Sequence, residues 1–364
     1  MKVAIVHDWL TNMGGAEQVV LNLHRMFPDA PIFTTFFTPE NLSKEFKDLN
    51  VKTSFLQKEK PVSDHKKYFP LMPLAFKKFN KELANYDLVI SSSSSCAKSV
   101  KAKNGVHVCY CHTPMRYAWD FRDEYLKDMN PAKRFLARIL LFFMRHWDKK
   151  TAKNVDFFIA NSNEVKARIK RCYGRDAAVV NPPVRCDVFK PTDEKPGDYY
   201  LAISRLVEYK RIDLAIKACE KLGKKLIVVG DGPEREKLEK LAKGNTTFLG
   251  RQSEQEIEKY LKTCRALIFP AYEDAGIVPL EAMSAGRPVI AYGKGGALDT
   301  VIDQKTGVFF PHQTVKSVMN AIEKSEKMTF DKKFIREHAK TFDEPAFRAK
   351  IMKYIKQNLP NEKF

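Results

Sequence analysis

Residues Pro270–Ile290 read PAYEDAGIVPLEAMSAGRPVI. The apolar run ALIFP ends at Pro270 as a strand would, and a short loop carrying Glu273 follows. Gly276 then opens a helix with Pro279 in its first turn, where a missing N–H costs nothing because that group has no intrahelical partner. Glu281 rides on the same helix and Gly286 ends it, glycine being the residue that best stops a helix. Pro288–Ala291 (PVIA) begins the next strand. Strand, helix and strand joined so tightly make a βαβ unit, and βαβ units build parallel sheets.

The same alternation extends in both directions. Upstream lie the strand-like runs Tyr199–Ser204, Lys225–Val229 and Thr246–Leu249, with Ile212, Ala215, Ile216, Cys219 and Leu222 at helical spacing between the first two. A separate series precedes them: Lys2–Trp9, Asp87–Ser91, Val106–Cys111, Asp156–Ala160 and Ala177–Val180. Between the two series, Asn181–Asp198 holds prolines 182, 183, 191 and 196, which marks a linker. The expected architecture is α/β, with two Rossmann-like domains spanning 1–185 and 198–333 and facing across a cleft. A further helical stretch covers about 334–356. Open α/β sheets bind ligands beyond the carboxyl ends of their strands, which gives a place for a site but not its chemistry.

Composition narrows the classes. The 364 residues are 44% hydrophobic and 29% charged, as expected for a globular chain with real cores. The net charge of +19 is uneven: residues 1–190 hold 32 basic and 19 acidic side chains, against 31 and 25 in the remainder. The first half therefore faces an anionic partner: nucleic acid, phospholipid or a phosphorylated substrate. The seven cysteines (96, 109, 111, 172, 186, 219 and 264) form no CxxC pair and read as small buried hydrophobes in a reducing compartment. No secretory pattern precedes the first strand and no apolar run reaches the ~18 residues a membrane span needs, so a cytoplasmic location is expected.

The site residues follow from charge and helix geometry. The backbone N–H groups at Gly276, Ile277 and Val278 point out of a helix's positive end, which binds phosphate. Glu273, before that end, can accept hydrogen bonds from a sugar beyond the phosphate, and Glu281 can take hydroxyls nearer the nucleoside. Gly14 and Gly15, between the first strand and first helix, let backbone approach a phosphate closely. The dinucleotide pattern GxGxxG is absent from that turn, which argues against a nicotinamide enzyme. His112 ends a strand in CYCHTPMRYAWD, well placed to reach a cleft, and Arg116, Tyr117, Trp119 and Asp120 suit the edge of a glycan acceptor site, although Trp119 suits a core position equally. No DxD motif sits in a cleft loop, so no metal ligands are assigned.

Glu-x7-Glu followed by AMSAGRPVI resembles the signature of the GT-B glycosyltransferases of family GT4. Motif matches run from Val3 to Pro288. The resemblance implies a nucleotide-sugar donor, retention of anomeric configuration, and neither metal nor cofactor. It implies that Arg205 and Lys210, in SRLVEYKRID, hold the donor diphosphate. Fixed cations there would stabilise the charge that develops on the leaving group. It further implies that TFLGRQ, with Arg251, cups the base, that GDGP (230–233) is a structural turn, that the Gly14–Gly15 loop touches diphosphate or acceptor, and that His112 contacts the donor hexose near the reacting carbon. HTPxRYxWD, HDW and NPPVxxxxF are most similar to bacterial O-antigen and exopolysaccharide mannosyltransferases of the family, which points to GDP-mannose and a glycan acceptor that is lipid-linked.

Two basic, apolar stretches fit the charge of the first half. Lys133–Lys150 (KRFLARILLFFMRHWDKK) and Lys66–Lys81 (KKYFPLMPLAFKKFNK) are both too short to span a bilayer. Either suits an anionic membrane surface, as a peripheral enzyme on the inner face of the cytoplasmic membrane would use, and either suits a domain face with an ordinary core side. Competing functions are a GT-B-like sugar-nucleotide epimerase, a phosphorylase, and a basic nucleic-acid-binding protein. No cofactor-lysine motif supports the second, and no zinc-finger, RNP or helix-turn-helix signature supports the third.

Overall fold

A computed structural model describes residues 1–57, 65–120, 126 and 129–359, with the side chains of His65 and Lys66 outside that description. The chain forms two compact units, Met1–Asn181 with Arg348–Phe364, and Pro182–Phe347.

The first unit is a wholly parallel sheet of seven strands in the order β3-β2-β1-β4-β5-β6-β7. The strands are β1 (Val3–His7), β2 (Ile32–Thr34), β3 (Val51–Thr53), β4 (Leu88–Ser93), β5 (Val106–Cys111), β6 (Phe157–Ala160) and β7 (Ala177–Val179). The register pairs His7 with Ser92 and Ser93 with Cys111, so the carboxyl ends of β1, β4 and β5 lie level. Helices α1 (Gly15–Met26), α2 (Met72–Leu83), α3 (Pro131–Thr151) and α4 (Asn163–Tyr173) accompany the sheet. Helix α2 turns Met72, Ala75, Phe76, Phe79 and Leu83 into the core. Most of the apolar content of 66–81 is therefore core, with Leu71 and Leu74 left exposed, which favours the domain-face reading of this stretch. Helix α3 differs: its buried stripe is only Leu141, Met144 and Asp148.

The second unit repeats the topology with six parallel strands in the order β10-β9-β8-β11-β12-β13. These are β8 (Tyr200–Ile203), β9 (Leu226–Val229), β10 (Thr246–Gly250), β11 (Leu267–Phe269), β12 (Val289–Tyr292) and β13 (Gly307–Phe310). Its helices are α5 (Ile212–Leu222), α6 (Arg235–Glu239), α7 (Glu254–Thr263), α8 (Ile277–Ser284), α9 (Ala297–Thr300), α10 (Val315–Glu326) and α11 (Lys332–Lys340). The proline-bearing stretch after Asn181 is no free tether. Val184, Cys186 and Phe189 are buried in this unit's core, and the Val184 N–H donates to the Phe342 carbonyl. The helical stretch expected at 334–356 is two helices, α11 and α12 (Glu344–Asn358), with the break capped by Asp343, which accepts from the Ala346 N–H at 2.8 Å. From Arg348 onward α12 belongs to the first unit, where the Arg348 guanidinium donates to Asn22 Oδ1 at 2.8 Å.

All seven cysteines are buried thiols with no disulfide, as small apolar fillers would be. Among the described residues no helix is long and apolar enough to cross a membrane.

Candidate functional site

In the second unit the strand order reverses between β8 and β11, the place where open α/β sheets take ligands. Two loops leave the carboxyl ends of these strands. The loop after β8 carries Arg205 and Lys210. It is seated on the turn after β9: the Leu206 N–H donates to the Asp231 carbonyl at 2.9 Å and the Glu234 N–H to the Leu206 carbonyl at 3.1 Å. Gly230 in that turn has φ +130°, and a Cβ there would overlap the Ser204 carbonyl. The GDGP turn is thus the support of the Arg205 loop. The Arg205 side chain is exposed and has no ion pair among the described residues. Lys210 ends a single 3₁₀ turn, Glu208–Lys210, and is largely buried.

The loop after β11 brings Glu273 against it, and the Lys210 ammonium pairs with Glu273 Oε1. Backbone contacts fix this carboxylate from behind. The Glu273 carbonyl accepts the Gly296 N–H at 2.9 Å. Gly295, at φ +67°, passes so close that a side chain there would strike that carbonyl. Helix α8 then starts with Gly276 as its N-cap and no side chain capping it. Its first N–H groups, including Ile277 and Val278, keep the partial positive charge of an uncapped helix end. One turn further, burial pushes the Glu281 carboxyl up to about 7, with Arg185 opposing. Arg251 is exposed just beyond β10, at the same edge of the sheet.

In the first unit the level ends of β1, β4 and β5 carry a chain of polar side chains. His7 is buried; its Nε2 lies 3.6 Å from Glu17 Oε1, and its Nδ1 lies 3.0 Å from the Ser92 carbonyl and 3.2 Å from Ser92 Oγ. Ser92 Oγ lies 2.8 Å from His112 Nε2. Burial alone would lower the His7 pKa, yet the Glu17 carboxylate outweighs it and holds the imidazole above its ordinary value. Burial and the neighbouring His7 push His112 down to about 3. With a proton on His7 Nδ1 directed at Ser92, the Ser92 hydroxyl donates onward to His112 Nε2. That assignment leaves His112 neutral, with Nδ1–H as its remaining donor.

Gly14 precedes α1 in extended backbone, with no side-chain cap, and Gly15 begins the helix. Glu17, in the first turn, is the residue that reaches His7. Asp8 is buried and ties the loop after β4: Oδ2 accepts the N–H of Ser94 at 2.6 Å and of Ser95 at 2.9 Å, and Oδ1 accepts the N–H of Ala97 at 2.7 Å.

The residues expected at an acceptor edge are mostly committed to the fold. The Trp119 indole N–H donates to the buried Asp148 at 2.8 Å, and the ring packs against the core. Asp120 is paired with Arg168 at 3.2 Å and Arg171 at 2.6 Å. The Tyr117 hydroxyl bonds to Ser95 Oγ. The polar groups of these three are engaged within the first unit. Arg116 is part-exposed.

Sequence reasoning missed His7, Ser92, Glu17, Asp8, Gly295 and Gly296. The available signals were HDW at the end of β1 and the serine run 91–95 at the end of β4: small polar residues ending neighbouring buried strands have no packing reason to be there. Among the described residues no cluster of His, Cys, Asp and Glu could hold a metal ion.

Two family models cover most of the chain between them. "Glycosyltransferase Family 4" matches residues 13–188 and "Glycosyl transferases group 1" matches 187–343. The alpha-1,3/1,6-mannosyltransferase ALG2 of Candida glabrata is 24% identical, over 83% of this chain and 78% of its own. ALG2 of Dictyostelium discoideum is 46% identical over 78 residues, 21% of this chain and 18% of that one. Among solved structures, Anabaena HepE in complex with UDP is similar with a TM-score of 0.75 at 18% identity, covering 98% of this chain and 100% of that one.

Proposed function

This chain belongs to the family 4 glycosyltransferases of GT-B fold and is a transferase, and we propose that it moves mannose from GDP-mannose to a lipid-linked glycan acceptor with retention of anomeric configuration. The observation that carries this reading is the Lys210–Glu273 pair beside the uncapped start of α8, at the switch point of the second sheet. A cation, a carboxylate and a helix's positive end are what a diphosphate joined to a sugar requires. Similarity to the ALG2 mannosyltransferases supports mannose as the sugar.

In this reading Arg205, Lys210 and the α8 N–H groups take the charge that grows on the diphosphate as the sugar C1–O bond breaks. Glu273 accepts hydrogen bonds from sugar hydroxyls, and Glu281 accepts them from the nucleoside side. Neutral His112 offers Nδ1–H to the hexose. The acceptor oxygen bonds to C1 on the face that the diphosphate leaves, and its proton passes to the departing phosphate oxygen. Charge stabilisation comes from the protein's own cations, so a divalent ion is not called for.

The test is a donor panel (GDP-, UDP- and ADP-sugars) in the presence of chelator, with and without a lipid-linked glycan. Acceptor-dependent release of GDP, with product of the donor's own anomeric configuration by NMR, is expected. Release of another nucleotide only, or epimerisation of the donor without transfer, would overturn the assignment.

A further inference from the structure

Helix α3 is built to be wet on one side and has nothing on that side to be wet for. Asn130 caps it, accepting from the Lys133 N–H at 2.9 Å, and Pro131 occupies its first position. The inward stripe of Leu141, Met144 and Asp148 is narrow. Asp148 is fully buried and pairs with the equally buried Lys98 at 2.7 Å, and it accepts from Trp119 and Tyr173. The helix is therefore anchored by a polar bolt along one line, not by an apolar face.

The apolar residues lie elsewhere. Phe135 and Leu136 are each 65% exposed, Phe143 64% and Phe142 58%, with Ile139 and Leu140 also exposed. At 3.6 residues per turn these six fall within an arc of roughly 160°. Single exposed apolar residues are ordinary, but six on one face are a patch, and a patch of this kind marks an interaction surface. Arg138 and Lys149 flank the arc on one side and Lys133 on the other, and Lys150 lies within it near the carboxyl end. None of the four cations has an ion pair among the described residues. The only carboxylate on the helix is Asp148, which faces inward. Nothing acidic on α3 opposes an anion.

We propose that α3 lies in the surface of an anionic lipid bilayer, with Phe135, Leu136, Ile139, Leu140, Phe142 and Phe143 among the acyl chains and Lys133, Arg138, Lys149 and Lys150 at the lipid phosphates. Aromatic and aliphatic side chains on one face, rimmed by cations free of acidic partners, are the composition that such helices need. A protein surface complementary to this face would have to be apolar and acidic at once. An anionic membrane offers both without a specific partner. The inference stands apart from the choice of sugar or nucleotide.

The experiment is co-sedimentation with vesicles of phosphatidylglycerol and phosphatidylcholine, compared with phosphatidylcholine alone, without any nucleotide sugar. Wild type is expected to bind the anionic vesicles and to leave them at high salt. The double variant Phe142→Ser/Phe143→Ser should lose about tenfold or more in partitioning. Arg138→Glu/Lys149→Glu should lose binding to anionic vesicles. Both variants should keep the wild-type circular dichroism and the wild-type transfer rate to a water-soluble acceptor. Absence of wild-type binding at low salt would overturn the proposal, as would variants that bind like wild type. So would a wild-type dimer in light scattering that Phe142→Ser/Phe143→Ser converts to monomer, because a second copy would then cover the face.

Discussion

The Lys210 ammonium and the Glu273 carboxylate, 63 residues apart in the chain, are paired across the switch point of the second sheet. Each is offered by the loop that follows one of the two strands flanking that point. In the proposed reading, a donor diphosphate arriving there would compete for Lys210 and its sugar would take over the carboxylate, so the pair would stand in for part of the ligand.

Glu273→Gln separates the two roles. It removes the carboxylate's charge, replaces one accepting oxygen by a donating amide and weakens the hold on Lys210. Transfer should fall by about 10- to 100-fold, the value of one charged hydrogen bond. Affinity for the nucleoside diphosphate without sugar should stay level or rise. Steady-state kinetics and calorimetric titration read the two effects separately.

Gly230→Ala tests the support of the Arg205 loop. The added Cβ meets the Ser204 carbonyl at a backbone angle that disfavours side chains. The variant should be less stable by about 1–3 kcal/mol and, by shifting the Arg205 loop, should bind nucleoside diphosphate more weakly. Urea unfolding and titration on the same preparation measure both.

Two imidazoles of the first unit, His107 and His112, set an acid limit. His112 is held down to about 3 and His107 to about 4, each chiefly by burial. Between those values and about 6.5 these two groups bind protons in the unfolded chain and not in the folded one, so their contribution to stability falls as pH drops through that window. His107→Gln should flatten the thermal-stability profile between pH 6.5 and 4. Because His112 stays neutral throughout, its protonation should leave no inflection in kcat near pH 6.5. Ser92→Ala, which unties the His112 ring, should lower kcat more than it raises the donor KM.

Lys98 and Asp148 are both fully buried and hydrogen-bonded in one network with Trp119 and Tyr173. Removing one partner leaves an uncompensated charge. Lys98→Ala should destabilise the protein by about 3–5 kcal/mol, seen as a lower urea midpoint. Replacing an exposed cation of α3 such as Lys149 should change stability by less than about 0.5 kcal/mol.

Much of this was legible in advance. Both sheets announced themselves through buried strands such as Val106–Cys111, which needed no correction at either end. The β11–α8–β12 unit was readable because Gly276, Pro279 and Gly286 punctuate it. Strands β2 and β3 escaped because each is three residues long, and β3 is only half-buried, so neither leaves a hydrophobic run. The relay of Glu17, His7, Ser92 and His112 escaped for a different reason. It is assembled by strand register across 105 positions of sequence, and no local spacing encodes it. Trp119 stayed open on sequence because an aromatic beside charges looks the same at a binding edge and over a buried carboxylate; its indole bonds to the buried Asp148. The two basic stretches had equal claims on paper. Only burial separated α2, whose apolar side is core, from α3, whose apolar side is not.

The most direct test of the central claim is equilibrium binding of GDP in the presence of chelator to wild type, Arg205→Ala and Lys210→Ala. If the diphosphate is gripped by these two cations and the start of α8, wild type binds without metal and each variant loses about 1.5–3 kcal/mol, roughly 10- to 150-fold in Kd. Unchanged affinity in both variants, or wild-type binding that vanishes on chelation, would contradict it.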